Sequence, residues 1–449
     1  MTGMRIGARG LAGAALRAGP WRSPRAAAAA AWRLHRDLLS NTGSLLAMTA
    51  VTSALGFVYW ILAARLFSQE AVGYGAAAVS AMTLLGVIGM LGLNTLLIGE
   101  LPRRTGRAGL MSAALVTSGL AALALGFGFV VIAPYTSMHF AHMVGAPVRA
   151  AVFATGVALT SASMVFDQAT IGLLRGDLQL RRNIVFAIGK ILTLLAAAAI
   201  LHDQFGFGIT LSWVTGIALS MALIAIRLLL DGEPVLAPPD WGVLRGLGRT
   251  AMAHNWLNLA FMMPFYLTPV LVTVIVSPSA NAAYYVASML AGFLFIVPSH
   301  LATVLFAVVA ADPKVLAEKL RFALRVSFII GLPAMAVLIL GAHLALGLFG
   351  KGYDIATVPL WLMTLGYPAY VPKTLYIAVC RASGRITHAA VVLTVCSSAE
   401  IAAAVAGAMA GGLIGLSWAL LAVRYCEALV TAPPVIRAAF GPGRHRRSG

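Results

Sequence analysis
Apolar stretches long enough to cross a bilayer recur along almost the whole of this chain, and no other feature limits its fold so tightly. A helix needs ~20 residues to span a hydrocarbon core of ~30 Å, and lipid offers backbone N–H and C=O groups no partner, so each stretch has to be helical. Twelve spans are expected: 44–64, 75–99, 110–133, 149–171, 184–201, 208–229, 252–275, 283–309, 326–348, 356–378, 388–408 and 411–431. The expected class is an all-α integral membrane protein. Composition agrees: 10% of the 449 residues are charged, against roughly a quarter in soluble domains.

A net charge of +18 raises the question of nucleic acid, and the positions of the charges answer it. With the N-terminus in the cytoplasm, 27 of the 32 Lys and Arg residues fall in the two tails, the cytoplasmic loops and, for Arg227 and Arg424, the cytoplasmic halves of spans six and twelve. Arg65, Arg149 and Lys351 fall on the other side, and Lys190 and Lys373 lie within spans. This is the positive-inside pattern of an inner-membrane protein, with both termini cytoplasmic and an even number of spans; no nucleic-acid partner is expected. The basic residues 1–42 read as a cytoplasmic tail, because no small-residue cleavage site follows a short apolar core. A start codon placed too early is the alternative. Cys380, Cys396 and Cys426 lack metal-ligand spacing and read as packing residues.

Internal similarity divides the membrane region. A shift of 210 lays SQEAVGYGAAA (68–78) on PSANAAYYVAS (278–288), and a shift of 206 lays IGLLRG (171–176) on IAVCRA (377–382), matching Arg175 to Arg381. Two nearly equal offsets suggest two parallel six-helix halves, an arrangement of transporters. The expected organisation is a six-helix lobe at 43–230, a cytoplasmic linker at 231–251, a second lobe at 252–432 and a basic tail at 433–449.

The stretches LAARLFSQEAVGYGAAAVSAM, SPSANAAYYVASML, LFGKGYDIATVPLWLMTLGYP and CRASGRITHAA resemble the polysaccharide-exporting branch of the multidrug/oligosaccharidyl-lipid/polysaccharide (MOP) superfamily over roughly residues 40–432. The resemblance implies two MATE-like lobes that move a polyprenyl-pyrophosphate-linked oligosaccharide between leaflets by rocking around a cavity lined by spans one, two, seven and eight. It also implies possible partnership with a polysaccharide polymerase or glycosyltransferases. The Ala, Gly and Arg bias is that of a high-GC bacterial genome.

Ionisable groups inside a span cost about 2.5–3.5 kcal/mol each on insertion scales, so by default they face the bundle interior. Lys190 and Lys373 are the cations placed to meet an anionic headgroup, and Arg65 at the end of span one is a further candidate for substrate contact. For Lys373 the alternative is a snorkelling side chain, and for Arg65 an interface anchor. Glu400, in the middle of span eleven, has to take a proton or find a cation on another helix. It is a coupling candidate, with Lys190 across the lobes as its expected partner. Asp167, eight residues before Arg175, is expected to form an ion pair with it at the membrane edge, or else to serve coupling. Glu427 is expected to pair with Arg424 one turn away. His254, His300 and His343 are isolated, so neither a metal site nor a cofactor is expected.

Three functions compete. A lipid-linked oligosaccharide flippase is favoured over a cation-coupled multidrug exporter because spans one and seven contain no Asp or Glu, whereas MATE exporters typically carry a carboxylate in one of them. A membrane glycosyltransferase or ligase is disfavoured, because the longest outer loop, YTSMHFAHMVGAPV, holds no acidic group.

Overall fold
A computed structural model describes residues 52–101, 107–173, 175–201, 205–231, 237–311 and 313–441. The expected N-terminal tail, residues 442–449 of the expected C-terminal tail, and the side chain of His254 lie outside what it describes. The chain forms two units, 1–55 and 56–449. Of the first, only residues 52–55 are described, as the opening turn of a helix; the second carries everything below.

The described residues are helical with short turns and no strand. The first half of the chain contains α1 (Thr52–Leu66), α2 (Gln69–Gly89), α3 (Leu93–Glu100), α4 (Arg107–Thr136), α5 (Met138–Val144), α6 (Pro147–Gly172), α7 (Gly176–Ile200) and α8 (Phe207–Leu230). The second half contains α9 (Trp241–Ile275), α10 (Pro278–Ala311), α11 (Leu316–Gly347), α12 (Thr357–Leu365), α13 (Tyr367–Ala382) and a terminal helical stretch, Ile386–Phe440. That stretch is two helices, because Gly411 (φ −154°, ψ 28°) and Gly412 (φ 58°, ψ −140°) leave helical geometry. The left-handed φ of Gly412 suits a residue without a Cβ, and the chain turns there. We call the arms α14 (386–410) and α15 (413–440).

Among the described residues, nine helices are long and apolar enough to cross a membrane, counting the terminal stretch as one, with Thr52–Leu66 and Asp354–Leu365 as shorter apolar helices. The described parts of all twelve expected spans fall on helical segments. Two spans are broken: span two at Leu91–Gly92, and span ten at Gly366. Large apolar side chains such as Leu340, Leu344 and Leu230 stand exposed, as lipid-facing residues must.

Prolines inside the helices free carbonyls that other groups then satisfy. Pro264 removes the helical donor to Ala260 O, and the Ser397 hydroxyl donates to it from α14. The Thr268 and Thr273 hydroxyls donate to Pro264 O and Pro269 O within α9, at 2.6 and 3.0 Å.

Contact between the halves centres on α2, which packs against α9 and α10 of the second half as well as α6 of its own. Small residues allow the approach: a Cβ on Gly73 would lie 1.7 Å from Pro278 O. Three polar side chains reinforce this end with backbone acceptors. Asn281 Nδ2 donates to Gly73 O at 2.9 Å, and Gln69 Nε2 to Ser279 O and Gly352 O at 3.2 and 3.0 Å. Arg65 donates to Leu348 O and Gly347 O at 3.0 and 3.3 Å, satisfying carbonyls at the end of α11. Replacing Gly73 with Val is expected to push α2 off α10 and cost about 1–3 kcal/mol, the range for overpacking a tight contact; a lowered unfolding temperature of the purified variant checks it, and an unchanged one refutes the contact.

Candidate functional site
Four charged side chains meet inside the second half. Lys373 on α13, Glu400 on α14 and Glu427 on α15 are each at most 6% exposed. Lys373 Nζ donates to Glu400 Oε1 at 2.5 Å and to Glu427 Oε2 at 2.8 Å. Arg424, one turn before Glu427, places Nε 3.6 Å from Glu400 Oε2. Two cations therefore balance two carboxylates. Glu427 Oε1 is buried with no hydrogen-bond partner. The four residues line a cavity of about 300 Å³ whose other walls are largely aromatic, among them Phe261, Phe265, Tyr266, Phe295 and Tyr370.

A second cavity, of about 310 Å³, lies where the halves meet. It is lined from α2, α6, α7 and α8 on one side and from α9 and α10 on the other. Its charged groups are Asp167 and Arg182, joined as a fork: Arg182 Nε and NH2 donate to Asp167 Oδ1 and Oδ2 at 2.7 and 2.6 Å. Phe265 and Tyr266 line both cavities, so one turn of α9 separates them.

Lys190 stands behind this second cavity. Its ammonium lies 4.6, 4.7 and 4.2 Å from the ring centroids of Tyr59, Phe186 and Trp213. Three ring faces supply the negative potential that a carboxylate would otherwise provide. Phe186 and Trp213 are themselves cavity walls. The Tyr59 hydroxyl lies 2.8 Å from Ser212 Oγ, which orients one side of the cage.

The arrangement corrects several expectations. Glu400 does not pair with Lys190; its partners are Lys373 and Arg424, because α13 and α15 flank α14 while Lys190 is enclosed by rings in the other half. Glu427 takes Lys373 rather than Arg424, whose guanidinium turns to Glu400. Lys373 is a buried ion-pair member, not a snorkelling side chain. Asp167 meets Arg182 rather than Arg175, because α6 ends at Gly172 and α7 folds back, so the two residues never share a continuous helix face. Arg65 is engaged by backbone carbonyls. Among the described residues, none of span one lines the inter-half cavity, which takes walls from spans four, five and six as well as two, seven and eight.

The repeat also needs re-registering. The turns after α6 and α13 share one hydrogen-bond pattern: Leu173 N to Ala169 O and Arg175 N to Thr170 O, against Ser383 N to Val379 O and Arg385 N to Cys380 O. The common offset is 210, so Arg175 corresponds to Arg385 and not to Arg381. With α7 starting at Gly176 and α14 at Ile386, the same offset puts Lys190 opposite Glu400. The two expected partners are thus repeat-equivalent positions of opposite charge. The sequence carried one sign of the aromatic cage, since Phe186 lies four residues before Lys190 on the same helix face; Tyr59 and Trp213 come from other helices and left no local signal.

Solved structures share this fold. An inward-facing multidrug resistance MATE family transporter of the MOP superfamily is similar over 86% of this chain and 94% of its own, with a TM-score of 0.64 and 14% identity. The lipid II flippase MurJ, in an inward closed conformation, is similar over 87% of this chain and 89% of its own, at 0.65 and 16%. An outward-facing MATE family transporter is similar over 87% and 93%, at 0.56 and 14%. No family model and no curated protein matches the sequence. The chain shares its fold with these transporters and this flippase.

Lys373→Met is expected to leave two buried carboxylates with Arg424 as their one cation, stranding Glu427, and to destabilise the protein by about 3–5 kcal/mol, the cost of breaking a buried pair from one side. Adding Glu400→Gln and Glu427→Gln should restore much of the loss; thermal unfolding of the single and triple variants tests this, and an unperturbed single variant would contradict the cluster.

Proposed function
We propose that the chain is a twelve-span inner-membrane flippase with both termini cytoplasmic, moving a polyprenyl-(pyro)phosphate-linked oligosaccharide outward for cell-surface polysaccharide synthesis by alternating access. The observation that carries this reading is the ion-lined cavity between the halves, whose α2 and α10 walls belong to the two helices that seat on each other at Gly73 and Pro278. A cavity between two halves of a helical bundle changes its open side when the halves rock, and only the seal at one end has to be exchanged for another. Absence of carboxylates from α1 and α9 supports this substrate class over a cationic drug.

In this mechanism the anionic headgroup enters the inter-half cavity while the prenyl tail stays in lipid. Arg182 and, behind its ring wall, Lys190 supply positive potential; Arg65 and Lys373 are the remaining candidates for substrate contact. Glu400, with Glu427 and Lys373, is the coupling candidate, since one added proton takes the four-residue cluster from balanced to net positive. Asp167 is the second coupling candidate: when Arg182 exchanges its carboxylate for the anionic headgroup, Asp167 is left to take a proton. A polymerase or glycosyltransferases are the proposed partners.

The aromatic walls around Glu400 and Glu427 favour one competing reading, export of cationic drugs. Gene deletion with leaflet-resolved detection of polyprenyl-linked oligosaccharide separates the two. Accumulation on the cytoplasmic leaflet with loss of surface glycan is the expected result; unchanged glycan with raised sensitivity to cationic drugs would replace the flippase by the exporter. In the same assay Lys190→Ala and Glu400→Gln should each impair transport, and full activity in both would remove those roles while leaving the fold's function standing.

A further inference from the structure
The outer surface of the second half carries a groove of about 600 Å³ between α11, α13 and α15. Its floor is apolar, formed by side chains such as Phe328, Pro372, Ala432 and Phe440. The α15 residues that line it run from Tyr425 to Phe440, about 22 Å of helix at 1.5 Å per residue. Pro368 and Pro372 both lie on the α13 wall, where their rings carry no N–H toward the groove. In a bilayer such a surface is covered by hydrocarbon in any case, so what the groove adds is a choice of headgroup at its rim.

That rim is positively charged. Arg325 lines the groove, is exposed, and has neither an ion pair nor a hydrogen bond among the described residues. Arg321 and Arg437 stand at the same end. Arg321 donates to Ala439 O at 2.7 Å, pinning α11 to α15, and Arg437 Nε donates to its own helix at Pro433 O. No Asp or Glu lines the groove. By the positive-inside distribution this is the cytoplasmic end, where anionic lipids are concentrated.

We propose that the groove binds an anionic glycerophospholipid of the cytoplasmic leaflet, one acyl chain lying between α11 and α15 and the phosphate on Arg325. Such a lipid braces α13, whose residue Ala369 lines this groove and also the cavity holding Lys373, Glu400 and Glu427. The occupant is thereby linked to the ionic cluster through one helix. The inference is independent of what the protein transports.

The test is lipid-dependent thermal unfolding of the full-length protein, delipidated in detergent and titrated with dioleoyl phosphatidylglycerol, dioleoyl phosphatidylcholine or polyprenyl phosphate. Phosphatidylglycerol is expected to protect at lower concentration than phosphatidylcholine. Arg325→Gln should weaken its apparent affinity about five-fold, the loss of one basic contact at a membrane surface, and leave the phosphatidylcholine response unchanged. Ala432→Trp, which fills the groove, should abolish the phosphatidylglycerol preference. Retention of a bound phosphatidylglycerol adduct in native mass spectrometry reports the same ranking without a melting transition. Equal protection by the two phospholipids, or an undiminished preference in both variants, overturns the proposal. So does Arg325-dependent protection by polyprenyl phosphate alone, which would make the groove a substrate-tail site.

Discussion
An ammonium placed among hydrocarbon helices has no water to fall back on, and the position of Lys373 answers that constraint with two carboxylates from two other helices. Each of the three residues would be costly alone. Together with Arg424 they balance, and they tie α13, α14 and α15 into one block. Removing any one member unbalances the rest. A rigid helical group with one titratable cluster at its centre is what a rocking half needs if motion is to follow ion occupancy.

The first half meets the same constraint differently. At the repeat-equivalent position it carries Lys190 where the second half carries Glu400, and it surrounds that cation with ring faces rather than with an acid. Ring faces add no net charge, so a protonated Lys190 gives the first half a positive potential next to the inter-half cavity while the second half is balanced. An anionic headgroup would find the two halves unequal: at the same offset Lys373, Arg424 and Glu427 fall opposite Ser163, Val214 and Ile217, so the ionic cluster has no counterpart in the first half.

Rocking of the halves, as proposed, would have to pass through α2 and α9. The first seats its Gly73 backbone on Pro278, and the second presents Phe265 and Tyr266 to both cavities. The polar bonds at the seat end on backbone carbonyls of the other half. Such acceptors remain in place whatever rotamers surround them, which would let the proposed seal re-form in one register. On the opposite face, α13 is the partition between the ionic cavity and the lipid groove, so leaflet composition and cluster occupancy act on the same helix.

Class, helix positions and breaks follow from properties that are local in sequence. An apolar run of some twenty residues can only be a helix in lipid, a glycine pair such as Gly411–Gly412 breaks it, and a helix of ordinary length places Phe186 over Lys190. Even so, a one-turn ambiguity in weakly similar segments was enough to match Arg175 to the wrong arginine, because four residues along a helix return to the same face. Charge pairing is another matter. Which cation meets Glu400, which meets Glu427, and which meets Asp167 depends on how helices far apart in the chain are packed, and periodicity reports only the face on which a residue stands, not the helix that face will meet.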